Sequence, residues 1–183
     1  MKKTILTFGL ISGALSSLMM VTTVPFAHRI GFDKALVVGY TTIVLSFLLV
    51  FFGIRSYRDN AANSQITFSK AFAVGICITL ISCTFYVVTW EIIYFNFMHD
   101  FMNKYGAHMI EKLKASCASA AAIQAQLQQQ KNFKELYENP FFNAAMTFIE
   151  PFPVGLVITL VSAAVLRRKP QSPPAQAPLP ASS

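Results

Sequence analysis

The sequence predicts an all-α fold, an integral membrane bundle of four transmembrane helices with an extramembrane helical insertion between the third helix and the fourth. Two observations predict it. Hydrophobic residues make up 54% of the 183 residues, more apolar surface than a soluble domain of this length can bury. They also fall in blocks of about 20 residues, the length of helix that crosses a hydrocarbon core of about 30 Å. Because a closed barrel needs more segments than these, helices are the expected spanning elements.

Four spans are predicted, at about residues 5–26, 35–54, 71–98 and 144–166. The first follows Lys2 and Lys3, as the apolar part of a signal peptide would. Its apolar run exceeds the usual length of about 7–15 residues and no A-x-A site follows, so we interpret it as an uncleaved span. Together the spans form one membrane domain, residues 1–169, with no room for a separate catalytic domain.

The insertion, residues 99–139, is predicted to be helical and to lie on the outer side of the membrane. Apolar residues recur in its first part at spacings of mainly three and four, as on one face of a helix: Phe101, Met102, Tyr105, Met109, Ile110, Leu113 and Cys117. Strong helix formers follow in "ASAAAIQAQLQQQ", and a second short helix is expected to carry Phe133, Leu136 and Tyr137.

Cap residues mark the starts of the last two spans. Thr67 is a plausible N-cap for the third helix, and Asn139 followed by Pro140 is typical of a cap and first position. Beyond the fourth span, residues 170–183 contain five prolines and no charge. This composition predicts a disordered tail.

Just inside the start of the fourth span lies "FIEPFPVG", residues 148–155, which places one carboxylate and two prolines in an apolar segment. Pro151 and Pro153 lack N–H donors, so two carbonyls of the preceding turn lose their helical partners. Water at the headgroups can satisfy those carbonyls. We therefore expect a kinked outer turn with Glu150 at the water boundary.

Small side chains on three spans predict close helix packing. The first span carries Gly9, Gly13 and Ser17, and Gly75 and Gly155 begin similar stripes on the third and fourth spans. Small residues let membrane helices approach each other closely. A polar pathway between the helices is the functional alternative.

Glu91 and Glu150 are the candidate intramembrane or interfacial acids. They lie at matching depths in the outer thirds of spans three and four, and an acid inside a membrane is by default a functional candidate. At 100° per residue, however, Glu91 lies about 140° from Tyr86, and Glu150 about 180° from Thr159, so both are expected to point away from the packing faces. Three interpretations stay open: carboxylates at the headgroups, a pair that shares a proton or a cation, and contacts in an oligomer.

The remaining side chains predict no catalytic, cofactor-binding or metal site. His28, His99 and His108 lie near acids on the outer side without a full ligand set. Of the three cysteines, only Cys117 falls outside the spans, where it could pair between chains. No phosphate loop, nucleophile elbow, HExxH or CxxC is found, so an enzyme is not expected.

The 15 basic residues set the expected orientation, but their raw distribution, 8 on the side of the N-terminus against 7, decides little. "RSYR" and "RRK" directly abut spans, which favours cytoplasmic positions for both termini. Much of the basic net charge, +7 over the chain, then faces anionic lipid, so a nucleic-acid partner need not be invoked.

The four-span layout, "ITFSKAFAVG" and "ENPFFNAAMTFIEPFPVGLVITLVSAAVLRRK" resemble the bacterial domain-of-unknown-function 4199 family over residues 3–169. The resemblance implies a multi-pass protein of the bacterial inner membrane and supplies no activity. We expect a structural or accessory protein whose partners are the lipid bilayer and a membrane or periplasmic protein or a second copy. The alternative is a small transporter or proton-coupled subunit that uses Glu91 and Glu150.

Overall fold

The computed structural model describes residues 1–61 and 65–168, apart from the side chains of His28 and Ala61. The predicted all-α bundle is confirmed, since the regular elements in these ranges are helices. Lys169 and the predicted tail, residues 170–183, lie outside the described residues.

Eight α-helices and one 3-10 turn follow one another along the described chain. They are α1 (Lys2–Thr23), the 3-10 turn (Val24–Phe26), α2 (Ala27–Ile30), α3 (Phe32–Ala61), α4 (Phe68–Phe97), α5 (Phe101–Ala115), α6 (Ala120–Tyr137), α7 (Pro140–Ile149) and α8 (Pro151–Leu166). Four segments are long and apolar enough to cross a membrane: Lys2–Phe26, Phe32–Asn60, Phe68–Phe97 and Pro140–Leu166.

These helical segments extend beyond the predicted spans, most clearly in α3, which continues past Ile54 to Ala61. Hydropathy marks where a segment stops being apolar. A helix can continue beyond that point until a helix-breaking residue ends it, so helices are longer than the apolar spans. The extension of α3 carries an ion pair one turn apart, in which Arg55 Nε lies 3.7 Å from Asp59 Oδ2.

Small residues allow the spanning helices to approach each other closely. A Cβ atom at Gly9 would lie 2.9 Å from Ile81 Cγ2, and one at Gly155 would lie 2.5 Å from Thr79 Cγ2. Hydroxyl groups join the helices at the same interfaces: Thr79 and Thr159 Oγ1 are 3.0 Å apart, and Thr89 donates to Ser17 at 2.8 Å. The small-residue stripes thus face other helices, and these hydroxyls are satisfied between them.

The two ends of the bundle differ. At the terminal end, the backbone N–H of Arg168 donates to the carbonyl of Ile66 at 2.9 Å, so the end of α8 meets the α3–α4 connection. Because the chain runs the length of the bundle four times, the N-terminus lies at the same end as the end of α8. The opposite end, called the loop end below, carries α5 and α6.

The insertion consists of two helices that pack on each other. α5 turns the predicted apolar face inward, with Ile110 and Gly106 buried, and Gln130 of α6 donates to the Gly106 carbonyl at 3.1 Å. The expected separate short helix was wrong: α6 continues without a break to Tyr137, because no Gly or Pro interrupts its helix-forming residues.

Both predicted caps are confirmed. The Thr67 side chain accepts from the backbone N–H of Lys70, and Asn139 accepts from the N–H groups of Phe141 and Phe142. The fourth span breaks where its prolines predict, since α7 ends at Ile149 and α8 begins at Pro151.

Candidate functional site: a cavity at the loop end

A cavity of about 360 Å³ lies between the spanning helices at the loop end, beneath α5 and α6. Its walls come from α1, α3, α4 and α7, and its cover from the two helices of the insertion. The principal lining residues are Met20, Gly39, Ile43, Tyr86, Trp90, Phe101, Tyr105, Tyr137, Thr147 and Glu150. A volume in this range suits a small organic ligand.

One face of α3 forms the wall opposite the acid. Ala35, Leu36, Gly39, Thr42 and Ile43 line the cavity, and their spacing places them on one side of the helix. Gly39 lies at the centre of this face, and a Cβ atom built there would meet no atom within 4 Å. The missing side chain of Gly39 therefore leaves space that belongs to the cavity.

The space arises because α3 and the broken fourth span separate towards the loop end. α3 packs closely along α8 but not along α7, whereas α4 packs along both. The break at Glu150 thus redirects α7 away from α3. Leu36 and Met146, which flank this gap, line the cavity and are also exposed on the surface of the bundle.

Aromatic rings form the upper part of the cavity. Trp90 of α4 meets Phe101 edge-on at a centroid distance of 5.1 Å, and Phe101 stacks on Tyr105 at 6.3 Å. Phe32, at the start of α3, meets Phe101 and Tyr105 at 6.1 and 5.8 Å. These edge-to-face and stacked contacts fix α5 over the bundle.

The Tyr137 hydroxyl joins three helices at the side of the cavity. It accepts from Trp90 Nε1 at 2.9 Å and lies 3.5 Å from Thr147 Oγ1. Asn143 donates to the Tyr137 carbonyl at 3.2 Å and accepts from Thr147, also at 3.2 Å. Burial raises the pKa of the Tyr137 phenol, so its hydroxyl stays protonated near neutral pH.

Glu150 is the carboxylate of the cavity. It is partly buried at the junction of α7 and α8, and its Oε2 accepts from the Tyr86 hydroxyl at 3.1 Å. The expectation that Glu150 points away from the packing faces was wrong. Because α4 packs along both α7 and α8, a residue at the junction of these two helices can meet α4, and the Glu150 carboxylate contacts Tyr86 there.

Charge is distributed unevenly around the cavity. Among the described residues that line it, Glu150 is the only carboxylate, and Lys, Arg and His side chains do not occur. The polar groups near Glu150 are neutral hydroxyls. The site can therefore accept hydrogen bonds or attract a cation, but it offers no counter-charge of its own.

Glu91 belongs to a different environment. It follows Trp90 on α4 and is partly buried, but it does not line the cavity. Its Oε1 is buried without a hydrogen-bond partner in the described part of the chain. No hydrogen bond joins Glu91 to Glu150, both of which the structure describes.

Ion pairs between α5 and α3 also hold the cover in place. Lys112 Nζ of α5 lies 3.1 Å from Asp33 Oδ1, and His108 Nε2 lies 3.9 Å from the same oxygen.

Over residues 1–61 and 65–168, no group of three or more His, Cys, Asp or Glu side chains could hold a metal ion. Cys117 is exposed in the turn after α5, with a φ of 56°.

Sequence reasoning did not identify the cavity, the Tyr86–Glu150 contact or the role of Tyr137. A cavity arises from the divergence of helices, which no local pattern records. One signal was present: Trp90, the single tryptophan, lies at the depth of the glutamates in the third span. A tryptophan buried at that depth needs a hydrogen-bond partner for its indole N–H.

A family model described as a protein of unknown function, DUF4199, matches residues 7–168. No curated protein and no solved structure matches the chain.

Proposed function

The chain belongs to the DUF4199 family of proteins of unknown function, as its resemblance implied, and because membership brings no activity with it we propose a function from the cavity. The protein is a non-enzymatic accessory protein of the bacterial inner membrane that binds a small, largely apolar ligand between its helices. Both termini lie in the cytoplasm, and the α5–α6 cover lies on the periplasmic side.

The cavity is the observation that carries this proposal. Elsewhere the helices approach so closely that a single methyl group would clash, as at Gly155. At the loop end the same helices leave about 360 Å³. A void of this size costs packing energy unless something fills it.

The gap between α3 and α7 supports entry from the lipid. Leu36 and Met146 are both exposed at the surface that acyl chains would cover, and both line the cavity. A ligand dissolved in the bilayer could pass between them without crossing the aromatic cover. The partner of the protein is then a membrane-dissolved molecule, and neither nucleic acid nor a bound cofactor has a role.

The transporter alternative in its original form needs both glutamates. Glu150 lines the cavity, whereas Glu91 lies outside it and makes no hydrogen bond with Glu150. A role for Glu150 alone fits ligand binding better than a shared proton or cation site.

Trp90, the single tryptophan of the chain, provides the test, since it lines the cavity and is only 8% exposed. Bromine quenches tryptophan fluorescence on contact, so 8-bromooctanol should quench Trp90 saturably in purified protein held in phosphatidylcholine nanodiscs. The variant Gly39→Phe fills the open space on α3 and should abolish saturable quenching.

Leu45→Phe is the matched control, because it adds an aromatic ring to α3 on the exposed surface, where Leu45 is 56% exposed. It should bind the probe like the unaltered protein. Linear quenching in the unaltered protein, or saturable quenching that survives Gly39→Phe, would contradict binding in the cavity.

A further inference from the structure

We propose that the ligand is a lipophilic organic cation, with Glu150 as its counter-ion and the aromatic rings as its walls. This inference rests on the proposed binding function and adds the chemical class of the ligand. It follows from the juxtaposition of one carboxylate with seven aromatic rings, those of Phe32, Tyr86, Trp90, Phe101, Tyr105, Phe133 and Tyr137.

Glu150 has hydrogen-bonding capacity that the protein does not use. A carboxylate can accept about four, and the structure supplies one, from the Tyr86 hydroxyl to Oε2. Glu150 Oε1 is not a buried, unpartnered atom, in contrast to Glu91 Oε1. A molecule in the cavity can therefore reach the Glu150 carboxylate.

The negative charge of an ionised Glu150 is not balanced within the cavity. The described residues lining the cavity include no basic side chain, so a charged Glu150 has no protein counter-ion there. A carboxylate in an apolar environment is costly unless it is paired. A cationic ligand would supply the pair that the protein lacks.

The aromatic walls of the cavity suit an organic cation. Rings of Trp, Tyr and Phe attract organic cations through their π faces, and Trp does so most strongly. Trp90 and Tyr137 are held by their mutual hydrogen bond at 2.9 Å, so these rings are positioned before a ligand arrives. Their apolar surface also suits the hydrocarbon part of such an ion.

An inorganic cation fits the same residues poorly. Metal ions such as Ca²⁺ take six or more oxygen ligands, whereas the polar group that contacts Glu150 in the described part of the chain is the Tyr86 hydroxyl. No cluster of three metal-ligating side chains occurs among the described residues. The aromatic walls would contribute nothing to binding such an ion.

Three probes with one chain and different heads test the inference by quenching of Trp90 in phosphatidylcholine nanodiscs. They are 8-bromooctyltrimethylammonium, 8-bromooctanol and 8-bromooctyl sulfate. We expect the ammonium to bind about tenfold more tightly than the alcohol, as one ion pair with cation–π contacts allows, and the sulfate most weakly. Glu150→Gln should remove the advantage of the ammonium, bringing the ratio of the ammonium and alcohol affinities from about tenfold to about one.

Glu91→Gln is the matched control, since it removes the acid that lies outside the cavity, and it should preserve the ammonium preference. If Glu150→Gln does not fold, Tyr86→Phe replaces it. That variant keeps the carboxylate and removes its one hydrogen-bond donor, so the ammonium preference should be kept or increased.

The outcomes separate the two proposals. Equal affinities for ammonium and alcohol in the unaltered protein, a preference that survives Glu150→Gln, or a preference lost in Tyr86→Phe would overturn the cation and leave cavity binding intact. Absence of saturable quenching by all three probes would overturn both.

Discussion

At the residue scale, Gly39 of α3 and Gly155 of α8 have opposite roles. A Cβ atom at Gly155 would lie 2.5 Å from Thr79 Cγ2 and 2.9 Å from Phe47 Cζ, whereas one at Gly39 would meet nothing within 4 Å. Gly155 thus permits helix contact, and Gly39 contributes space to the cavity.

The two glycines predict different responses to alanine. Gly155→Ala forces α8 from α3 and α4 and should reduce stability by about 1–3 kcal/mol, the usual cost of overpacking. Gly39→Ala should be neutral or stabilising by up to about 1 kcal/mol, because alanine favours the helix. Unfolding in a titration of denaturing detergent measures both, and equal losses would contradict the assignment.

Tyr137→Phe should disturb the environment of Trp90. The substitution removes the oxygen that accepts from Trp90 Nε1 and leaves that buried N–H without its partner. We expect a blue shift of tryptophan emission and a loss of about 1 kcal/mol in stability. Tyr57→Phe, on the extension of α3 at the terminal end, should leave the emission unchanged. A shift of similar size in both variants would show that the hydrogen bond is not its cause.

The two glutamates should behave independently. Because they occupy separate environments and make no hydrogen bond with each other, Glu91→Gln and Glu150→Gln should change stability additively, within about 0.5 kcal/mol. Detergent resistance of both single variants and the double variant, measured from pH 5 to 9, tests this. Strong non-additivity, together with a pH dependence that needs both acids, would restore the shared-site interpretation.

At the scale of elements, the caps and the proline break could be predicted from sequence, because each depends on residues within one turn. Asn139 and Pro140 specify the start of α7 whatever surrounds it. The direction of Glu150 could not be predicted in the same way. It depends on how α4 packs along both α7 and α8 at their junction, which is a relation between segments distant in the sequence.

The cover offers an accessibility test of the predicted amphipathic face. In a variant without the three native cysteines, a cysteine at Met109 or Ile110 should react slowly with a polar maleimide, and one at Lys112 rapidly. Met109 is partly buried, Ile110 is 9% exposed, and the Lys112 side chain is 60% exposed. Equal rates at these positions would mean that α5 does not pack its apolar face on the bundle.

At the scale of the whole molecule, composition and block pattern were sufficient to predict four spans and a helical insertion. Both are properties of long segments that average over individual contacts. The cavity could not be predicted, since it depends on α3 following α8 and separating from α7. Such a divergence is a relation between distant segments, to which single-sequence patterns are insensitive.

The arrangement of the whole molecule leads to a prediction of its orientation. The terminal end carries basic residues next to the spans, including Lys3, Arg55 and Arg167, whereas several lysines of the loop end are distributed along α5 and α6. Basic residues close to spans are retained in the cytoplasm more strongly than those in longer loops. Alkaline phosphatase, which is active only in the periplasm, should therefore be inactive when fused after residue 169. Inserted in the exposed turn at Cys117, between α5 and α6, it should be active, and loss of the insertion's activity together with activity of the terminal fusion would reverse the orientation proposed here.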